Sequence, residues 1–180
     1  MSNRRYVDYK PTIYEYDRTN NLRFVLGNYG KKTLVCVGIN PNTADADTSD
    51  NTMNDLIKFS RQQGYDGCIM INPYPLICNS PSKLPIEFDR KICEANLKYI
   101  SSVFEHCKGG DLLLSWGDYI LKNHDFKEQV AIILNKAKEK KMRLIHINSL
   151  TKGGNPRHFR NLCRDKEYNA GKYNVNVIKY

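Results

Sequence analysis

The chain carries the apolar stretch LVCVGI at residues 34–39, which ends directly before Asn40. Its hydrophobicity is continuous rather than alternating, as is typical of a strand that is covered on both faces in a parallel sheet. Three shorter apolar stretches of the same kind follow, at residues 68–71, 112–114 and 144–147. The sequence therefore predicts four central strands.

Mostly apolar residues that mark one face of a helix recur at helical spacing between each pair of these strands. They are Met53, Leu56, Ile57 and Ser60 before the second strand, Cys93, Leu97, Ile100 and Phe104 before the third, and Val130, Ile133, Leu134 and Ala137 before the fourth. Strands that alternate with helices indicate an α/β fold with parallel strands. We expect the order βαβαβαβ and a three-layer αβα sandwich around a central, mostly parallel four-stranded sheet.

The two ends of the chain have a different character from the centre. Residues 1–30 interleave tyrosines with charges around a turn-like polar segment, which predicts a β-hairpin packed on the sheet edge. These tyrosines could instead stack on nucleic-acid bases. Residues 173–180 alternate in polarity and predict a last edge strand. With 180 residues and 41% hydrophobic content, we expect one domain over residues 1–180.

Composition narrows the class of protein. None of the six cysteines forms a Cys-x-x-Cys pair, which argues for a reducing, cytoplasmic setting and against structural zinc. No apolar stretch is long enough to cross a bilayer, so we expect no membrane partner. The formal net charge of +9 fits a nucleic acid or nucleotide partner, but the lysines at 136–141 would look the same on a solvated helix face.

Polar loops follow all four predicted strands, at the edge where ligands bind in open α/β sheets. Asn40 and Asn72 each end a strand before a proline, so each carboxamide could orient a small polar ligand or simply close a turn. Asp45, Asp47 and Asp50 could activate water or hold a cation, and Asp50 could instead cap a helix. No calcium-loop pattern surrounds them, so we predict neither a metal site nor a cofactor.

The loop after the fourth strand is basic. Lys152, Arg157 and His158 surround two glycines and could hold a phosphate or stabilise a departing anion. Of the four histidines in the sequence, His158 is the one that we expect to act in the site.

These motifs together resemble the family called Domain of Unknown Function 1643, from about Arg23 to His158. The resemblance rests on residues 40–45, 50–52, 63–67, 72–76, 116–117 and 151–158. It implies that a ligand is contacted by further residues of these motifs, namely Pro41, Thr43, Asp50, Tyr74, Trp116, Thr151, Lys152, Gly154 and Arg157. Asn42 stands where the family pattern has serine, and Phe159 where it has proline.

The same loops also resemble, more distantly, those of the uracil-DNA glycosylase superfamily and its αβα fold. The similar segments are residues 38–41, 70–72, 113–117 and 155–158. This resemblance implies that Asn40 holds a hydrolytic water, that Asn72 reads the edge of a base and that His158 stabilises the base as it leaves. A neutral carboxamide is a poor general base, so Asp45 would be the better candidate for deprotonating that water.

The sequence leaves several functions open. The first is a nucleobase-handling hydrolase of the glycosylase type, acting on nucleic acid or on free nucleosides or nucleotides. The second is a non-catalytic module that binds a nucleotide, a modified base or a nucleic-acid end. A third is unrelated small-molecule chemistry that uses Asp45, Lys152 and His158.

Overall fold

The computed structural model describes residues 4–6, 9–159 and 174–178, and all structural statements concern these. The strands are β1 (Arg4–Arg5), β2 (Ile13–Asp17), β3 (Leu22–Asn28), β4 (Thr33–Val37), β5 (Thr48–Ser49), β6 (Gly67–Ile71), β7 (Asp111–Leu114), β8 (Arg143–Ile147) and β9 (Val175–Val177). The α-helices are α1 (Asn51–Gln62), α2 (Arg90–His106) and α3 (His124–Glu139), and short 3₁₀ helices span Pro81–Lys83 and Gly117–Lys122.

Seven strands form one mixed sheet in the order β2-β3-β6-β4-β7-β8-β9. The four central strands β6, β4, β7 and β8 run parallel, in the segments predicted from their apolar stretches. The prediction of a four-stranded sheet was wrong, because β3 pairs antiparallel with β6 and β9 pairs antiparallel with β8. These added strands satisfy the backbone groups that the edges of a four-stranded sheet would leave unpaired.

Alternate residues of the central strands point to opposite faces of the sheet. Leu34 and Cys36 of β4 pack in one apolar cluster with Phe59 and other residues of α1. Val35 and Val37 pack in a second cluster with residues of α2 and α3. Helices therefore cover both faces, which is why the central strands are continuously hydrophobic.

The polar residues at the helix starts fix where α1 and α3 begin. The Asp50 carboxylate accepts a hydrogen bond from the Met53 N–H at 2.8 Å and caps α1. The Asn123 side chain accepts a hydrogen bond from the Asp125 N–H at 2.8 Å and caps α3. A side-chain acceptor at each N-terminus satisfies N–H groups that have no partner within the helix.

The predicted hairpin is formed by β2 and β3, which extend the sheet itself. Ahead of it, β1 pairs with β5. The Tyr6 hydroxyl donates to the Asp45 carbonyl at 2.8 Å, and the Tyr9 hydroxyl donates to the Cys68 carbonyl at 3.2 Å. These two tyrosines therefore pack against the protein's own core, as the packing alternative predicted.

The connections leaving the central strands diverge at β4. The chain passes from β4 through α1 to β6 on one side, and from β7 through α3 to β8 on the other. A crevice outside the carboxyl ends of the strands is expected where connections diverge in this way. In the described part of the chain, no helix combines the length and the apolar character that a membrane crossing needs.

Candidate functional site

Two adjoining cavities lie at the carboxyl edge of the central strands. The recess, a small cavity of about 20 Å³, is lined among others by Arg23, Asn40, Asn42, Asn72 and His158. The groove, a wider cavity of about 340 Å³, shares Asn40, Asn42 and His158 with the recess and adds residues of the loops that follow β6 and β7. The recess and the groove therefore form one connected site.

Several residues predicted from the sequence meet in this site. Asn40, Asn72, Asp50 and His158 line the recess. Trp116 lines the groove together with Asn40 and His158. Loops that are far apart in the sequence are thus brought to one rim, because they follow neighbouring strands of the sheet.

The Asn40 carboxamide is held in one orientation. Its Nδ2 donates to the Pro41 carbonyl and to the Cys78 carbonyl, both at 2.7 Å. Within the described residues no hydrogen bond involves its Oδ1. Because both N–H groups are engaged by backbone carbonyls, the side chain offers the site an acceptor oxygen.

The Asn72 side chain is buried directly after β6, and its position depends on Gly38. A Cβ added to Gly38 would lie 2.7 Å from Asn72 Oδ1, closer than ordinary contacts permit. The Asn72 carbonyl accepts a hydrogen bond from Asn96 Nδ2 at 2.9 Å, which fixes the backbone at this point. Glycine at position 38 therefore makes room for the carboxamide at the recess.

Arg23 is a lining residue that the sequence reasoning did not select. It is buried in β3, and its guanidinium donates to the Ala44 carbonyl at 2.6 Å. Burial lowers the pKa of Arg23, and the neighbouring Asp50 carboxylate opposes that effect. A charged residue between Leu22 and Phe24, in an otherwise apolar strand, was the available signal.

Three buried polar atoms of the recess have no hydrogen-bond partner within the described residues. They are Arg23 Nε, Asn42 Oδ1 and Asn72 Nδ2. Buried polar groups are nearly always paired, and leaving one unpaired costs about 1–3 kcal/mol. Two unpaired donors and one unpaired acceptor on residues that line one cavity indicate a place where a polar ligand or water completes the hydrogen bonding.

Asp45 lies outside the set of residues that line the recess and the groove. Its Oδ1 accepts from Thr48 N at 2.7 Å, from Thr48 Oγ1 at 3.0 Å and from Asp47 N at 2.9 Å. Burial raises the pKa of Asp45, but these hydrogen bonds outweigh burial and hold the pKa below its usual range. The carboxylate closes its own loop, so the structure does not bring this predicted base to the site.

The loop after β8 is tied to the loop after β7. The side chains of Thr151 and Asn155 both donate to Asp118 Oδ1, the amide at 2.9 Å. Trp116 Nε1 donates to Asn155 Oδ1 at 3.4 Å. These bonds hold one wall of the groove, so Thr151 supports the site without lining it.

The other cations of the β8 loop do not line either cavity. Arg157 donates to the Ser149 carbonyl at 2.8 Å and to the Ser149 hydroxyl at 3.2 Å, so its guanidinium braces its own loop. Lys152 and Gly154 are exposed. A Cβ added to Gly117 would lie 3.4 Å from the His158 Cβ, so the loop packs closely beside His158.

A family model matches residues 23–158, a span whose first and last residues, Arg23 and His158, both line the recess. The chain belongs to the family described as Protein of unknown function (DUF1643). No curated protein and no solved structure matches the chain.

The remaining residues of the family motifs have different surroundings. Tyr74 is 2% exposed and stacks on Phe88 with ring centroids 4.0 Å apart, so it lies in the core and away from the site. Pro41 is buried, and its carbonyl accepts from Asn40 and from the Cys78 N–H. Thr43 is exposed and lines neither cavity. The structure thus separates residues that the motifs group together.

One group of side chains in the described ranges has the spacing of metal ligands. It consists of His124, Asp125 and Glu128, whose ligand atoms lie within 4.8 Å of one another at the start of α3. The His124 side chain is 89% exposed, and Asp125 accepts a hydrogen bond from the Phe88 N–H. None of the three residues lines the recess or the groove.

Proposed function

We propose that the recess and the groove bind a nucleobase or a nucleotide, with one edge of the base facing Asn72 and Arg23. The observation that carries this proposal is the set of three unpaired buried atoms around the recess. A ligand that binds there restores the hydrogen bonds that these atoms lack, and a ligand without matching groups leaves them unpaired at a cost.

The sizes of the two cavities support this arrangement. A volume of about 10–15 Å³ holds one water-sized group, so the recess of about 20 Å³ admits an exocyclic oxygen or amine and not a ring. Ligand pockets start at about 300 Å³, which the groove reaches with about 340 Å³. The ring and any sugar therefore occupy the groove, and one substituent of the ring enters the recess.

The chemistry of the unpaired atoms supports a ligand of amide character. Arg23 Nε and Asn72 Nδ2 are donors, and Asn42 Oδ1 is an acceptor. A base edge with one carbonyl oxygen beside a ring N–H offers an acceptor to the two donors and a donor to Asn42 Oδ1. An aliphatic ligand satisfies none of them.

Hydrolysis of an N-glycosidic bond is the second candidate function. The fixed Asn40 carboxamide favours it, because an anchored Nδ2 leaves Oδ1 to accept a hydrogen bond from a water molecule. In this reaction the water oxygen bonds to the anomeric carbon, the C–N bond breaks with its electron pair leaving on the base, and the proton that the water loses is taken up by the departing base. His158 and Arg23 line the recess where that negative charge develops.

The hydrogen bonds of Asp45 affect how hydrolysis of an N-glycosidic bond could be catalysed. Asp45 Oδ1 accepts hydrogen bonds from Thr48 and Asp47, and Asp45 lines neither the recess nor the groove, so it does not serve as the general base. The mechanism then relies on water orientation by Asn40 and on stabilisation of the leaving base. If hydrolysis is absent, the site is a binding module, as the alternative hypothesis holds.

Thermal stabilisation by ligands tests the binding proposal. We expect at least one free base, nucleoside or nucleoside monophosphate to raise the Tm, since a ligand at a hundred times its Kd stabilises a protein by about 2.7 kcal/mol. Asn72→Ala should abolish the effect, and Asn135→Ala on the exposed face of α3 should keep it. Absence of any shift across the whole panel, or equal shifts in both variants, would contradict the proposal.

Chromatographic detection of free base tests hydrolysis. The substrates are nucleosides and duplexes that contain deoxyuridine, hypoxanthine or a mismatch. We expect Asn40→Ala to abolish release while ligand-induced stabilisation is retained. Binding without release in the wild-type protein would reject hydrolysis and leave the binding module.

The net charge bears on the proposed partner, and the cysteines bear on the proposed cellular setting. If the partner is nucleic acid, its affinity should fall steeply with salt, because phosphate contacts release counterions. Five cysteines among the described residues carry free thiols, which fits the proposed reducing, cytoplasmic setting.

A further inference from the structure

A second cleft, of about 560 Å³, lies at the opposite edge of the sheet, at the amino ends of β4, β7 and β8. Its lining includes four cationic side chains and one carboxylate. The cationic residues are Lys31, Lys32, Lys108 and Arg143, and the carboxylate is Asp111. The cleft shares no lining residue with the recess or the groove, so its chemistry is separate from the proposed function.

The carboxylate of the cleft, Asp111, is buried and hydrogen-bonded to neighbouring side chains. Asp111 accepts from Arg143 Nε at 2.6 Å, from Arg143 Nη2 at 2.9 Å and from the Tyr65 hydroxyl. Burial raises the pKa of Asp111, but the hydrogen bonds from Arg143 and Tyr65 outweigh it and keep the pKa below its usual range. The single carboxylate of the cleft is thus already saturated and does not attract a cation.

The walls of the cleft hold lysines in fixed positions. Lys32 Nζ lies 4.4 Å from the centre of the Tyr65 ring, in a cation–π contact. The backbone N–H groups of Lys31 and Lys32 donate to the Asp66 carboxylate at 3.0 and 2.7 Å, which holds the loop in place. The loop therefore presents two ammonium groups from a rigid backbone.

The acidic groups nearest the lysines are fewer than the cations and form their closest contacts with other groups. Asp66 is engaged by the two backbone N–H groups, and Glu105 pairs with Lys140 at 2.5 Å. In the part of the chain that the structure describes, neither Lys31 nor Lys108 forms a salt bridge. A concave surface with this excess of positive charge attracts an anion and repels a cation.

We infer that this cleft binds the phosphate groups of a ligand. Lysine ammonium groups bind phosphate as point charges, and the exposed Arg143 adds further N–H donors beside them. The phosphate can come from a polynucleotide backbone or from a small phosphorylated molecule, and both sources present the same chemistry to the lysines.

A double variant, Lys31→Gln with Lys108→Gln, tests this inference. It leaves the Lys32 contact with Tyr65 and the Asp111 network intact. The matched control is Lys91→Gln with Lys98→Gln, which removes the same charge from exposed positions of α2. Circular dichroism verifies that both variants are folded.

Two probes distinguish the sources of phosphate. Binding of pyrophosphate is measured by calorimetry, and binding of a fluorescent single-stranded oligonucleotide is measured by anisotropy between about 50 and 200 mM salt. For a polynucleotide site, the cleft variant should lower the slope of log affinity against log salt by about 2, about 1 per lysine, with the control unchanged. For a small-ligand site, the cleft variant should weaken pyrophosphate binding about tenfold with little change for the oligonucleotide.

Two results would overturn the inference. One is that the wild-type protein binds neither probe. The other is that both double variants weaken binding equally, which would show that only net charge matters. Asn72→Ala separates this site from the proposed function, because it should leave phosphate binding unchanged even if it abolishes base binding.

Discussion

Replacing Gly38 by alanine perturbs the recess by a single methyl group. The added Cβ would lie 2.7 Å from Asn72 Oδ1 and 3.3 Å from Met70 Sδ. The backbone at Gly38 does not require glycine, since its φ lies outside the left-handed region. The effect of the substitution therefore comes from crowding and not from backbone strain.

The magnitude follows from two opposing contributions. Inserting a methyl group into a packed site costs about 1–3 kcal/mol. The lower entropy of the unfolded alanine chain offsets about 0.4–1 kcal/mol of that cost. We expect a net destabilisation of about 1–2 kcal/mol, which lowers the Tm of a chain of this size by about 2–8 °C.

The assay is a double-mutant cycle followed by thermal or urea unfolding. Gly38→Ala is made in the wild-type protein and in an Asn72→Ala background, which removes the crowded oxygen. In that background the cost of Gly38→Ala should fall close to zero, giving a coupling energy of about 1 kcal/mol or more. Gly38→Ala should also weaken base binding, because it displaces the Asn72 carboxamide.

An equal loss of unfolding free energy from Gly38→Ala in the wild-type and Asn72→Ala backgrounds would contradict this prediction. Equal costs would mean that the methyl group is accommodated without touching Asn72. A Gly38→Ala protein that is destabilised but binds ligand as tightly as the wild type would show that the Asn72 position does not govern recognition.

Four further predictions concern other parts of the molecule. Asp111→Asn should lower the free energy of unfolding by about 2 kcal/mol in calorimetry, because it removes a charge-assisted pair with Arg143. The loss is limited because the Arg143 side chain is exposed to water. The control Glu105→Gln, in an exposed pair, should leave the Tm unchanged. The pKa of Asp111 is depressed in the folded state, so its carboxylate stabilises the fold at pH values above its ordinary pKa of 3.8. As the pH drops below 3.8, the urea midpoint of the wild type should therefore fall more steeply than that of Asp111→Asn. Phe59→Ala, at a fully buried position, should cost about 3–5 kcal/mol in urea unfolding. Asp45→Ala should lower the free energy of unfolding by about 1 kcal/mol and leave ligand-induced stabilisation unchanged. Loss of that stabilisation would show that Asp45 takes part in ligand binding.

Much of the fold could be predicted because its signals are local. The four central strands are read from continuous hydrophobic stretches, and the helices from apolar residues that recur with helical period. The strand β9 was also predicted from alternation alone. The number of strands in the sheet was missed, because pairing of β3 with β6 is a long-range event that no local pattern specifies.

The site could be predicted only in part. Asn40, Asn72 and His158 were selected because they follow strands, and strand ends meet at one edge of the sheet. Asp45 and Tyr74 stood in the same motifs, but hydrogen bonds within its own loop engage Asp45, and packing on Phe88 buries Tyr74. Sequence position does not reveal which way a side chain points.

The class of fold and the loops of the candidate site can be read from the amino-acid pattern, because both follow from the hydrophobic period and from what comes after each strand. The other features depend on the assembled tertiary structure. It brought Arg23 from β3, a strand outside the four predicted ones, to the recess, placed three polar atoms there that have no partner among the described residues, and gathered lysines from separate loops at the far edge of the sheet. These features depend on distances between residues remote in the chain, which are set only when the sheet assembles and its two faces are covered.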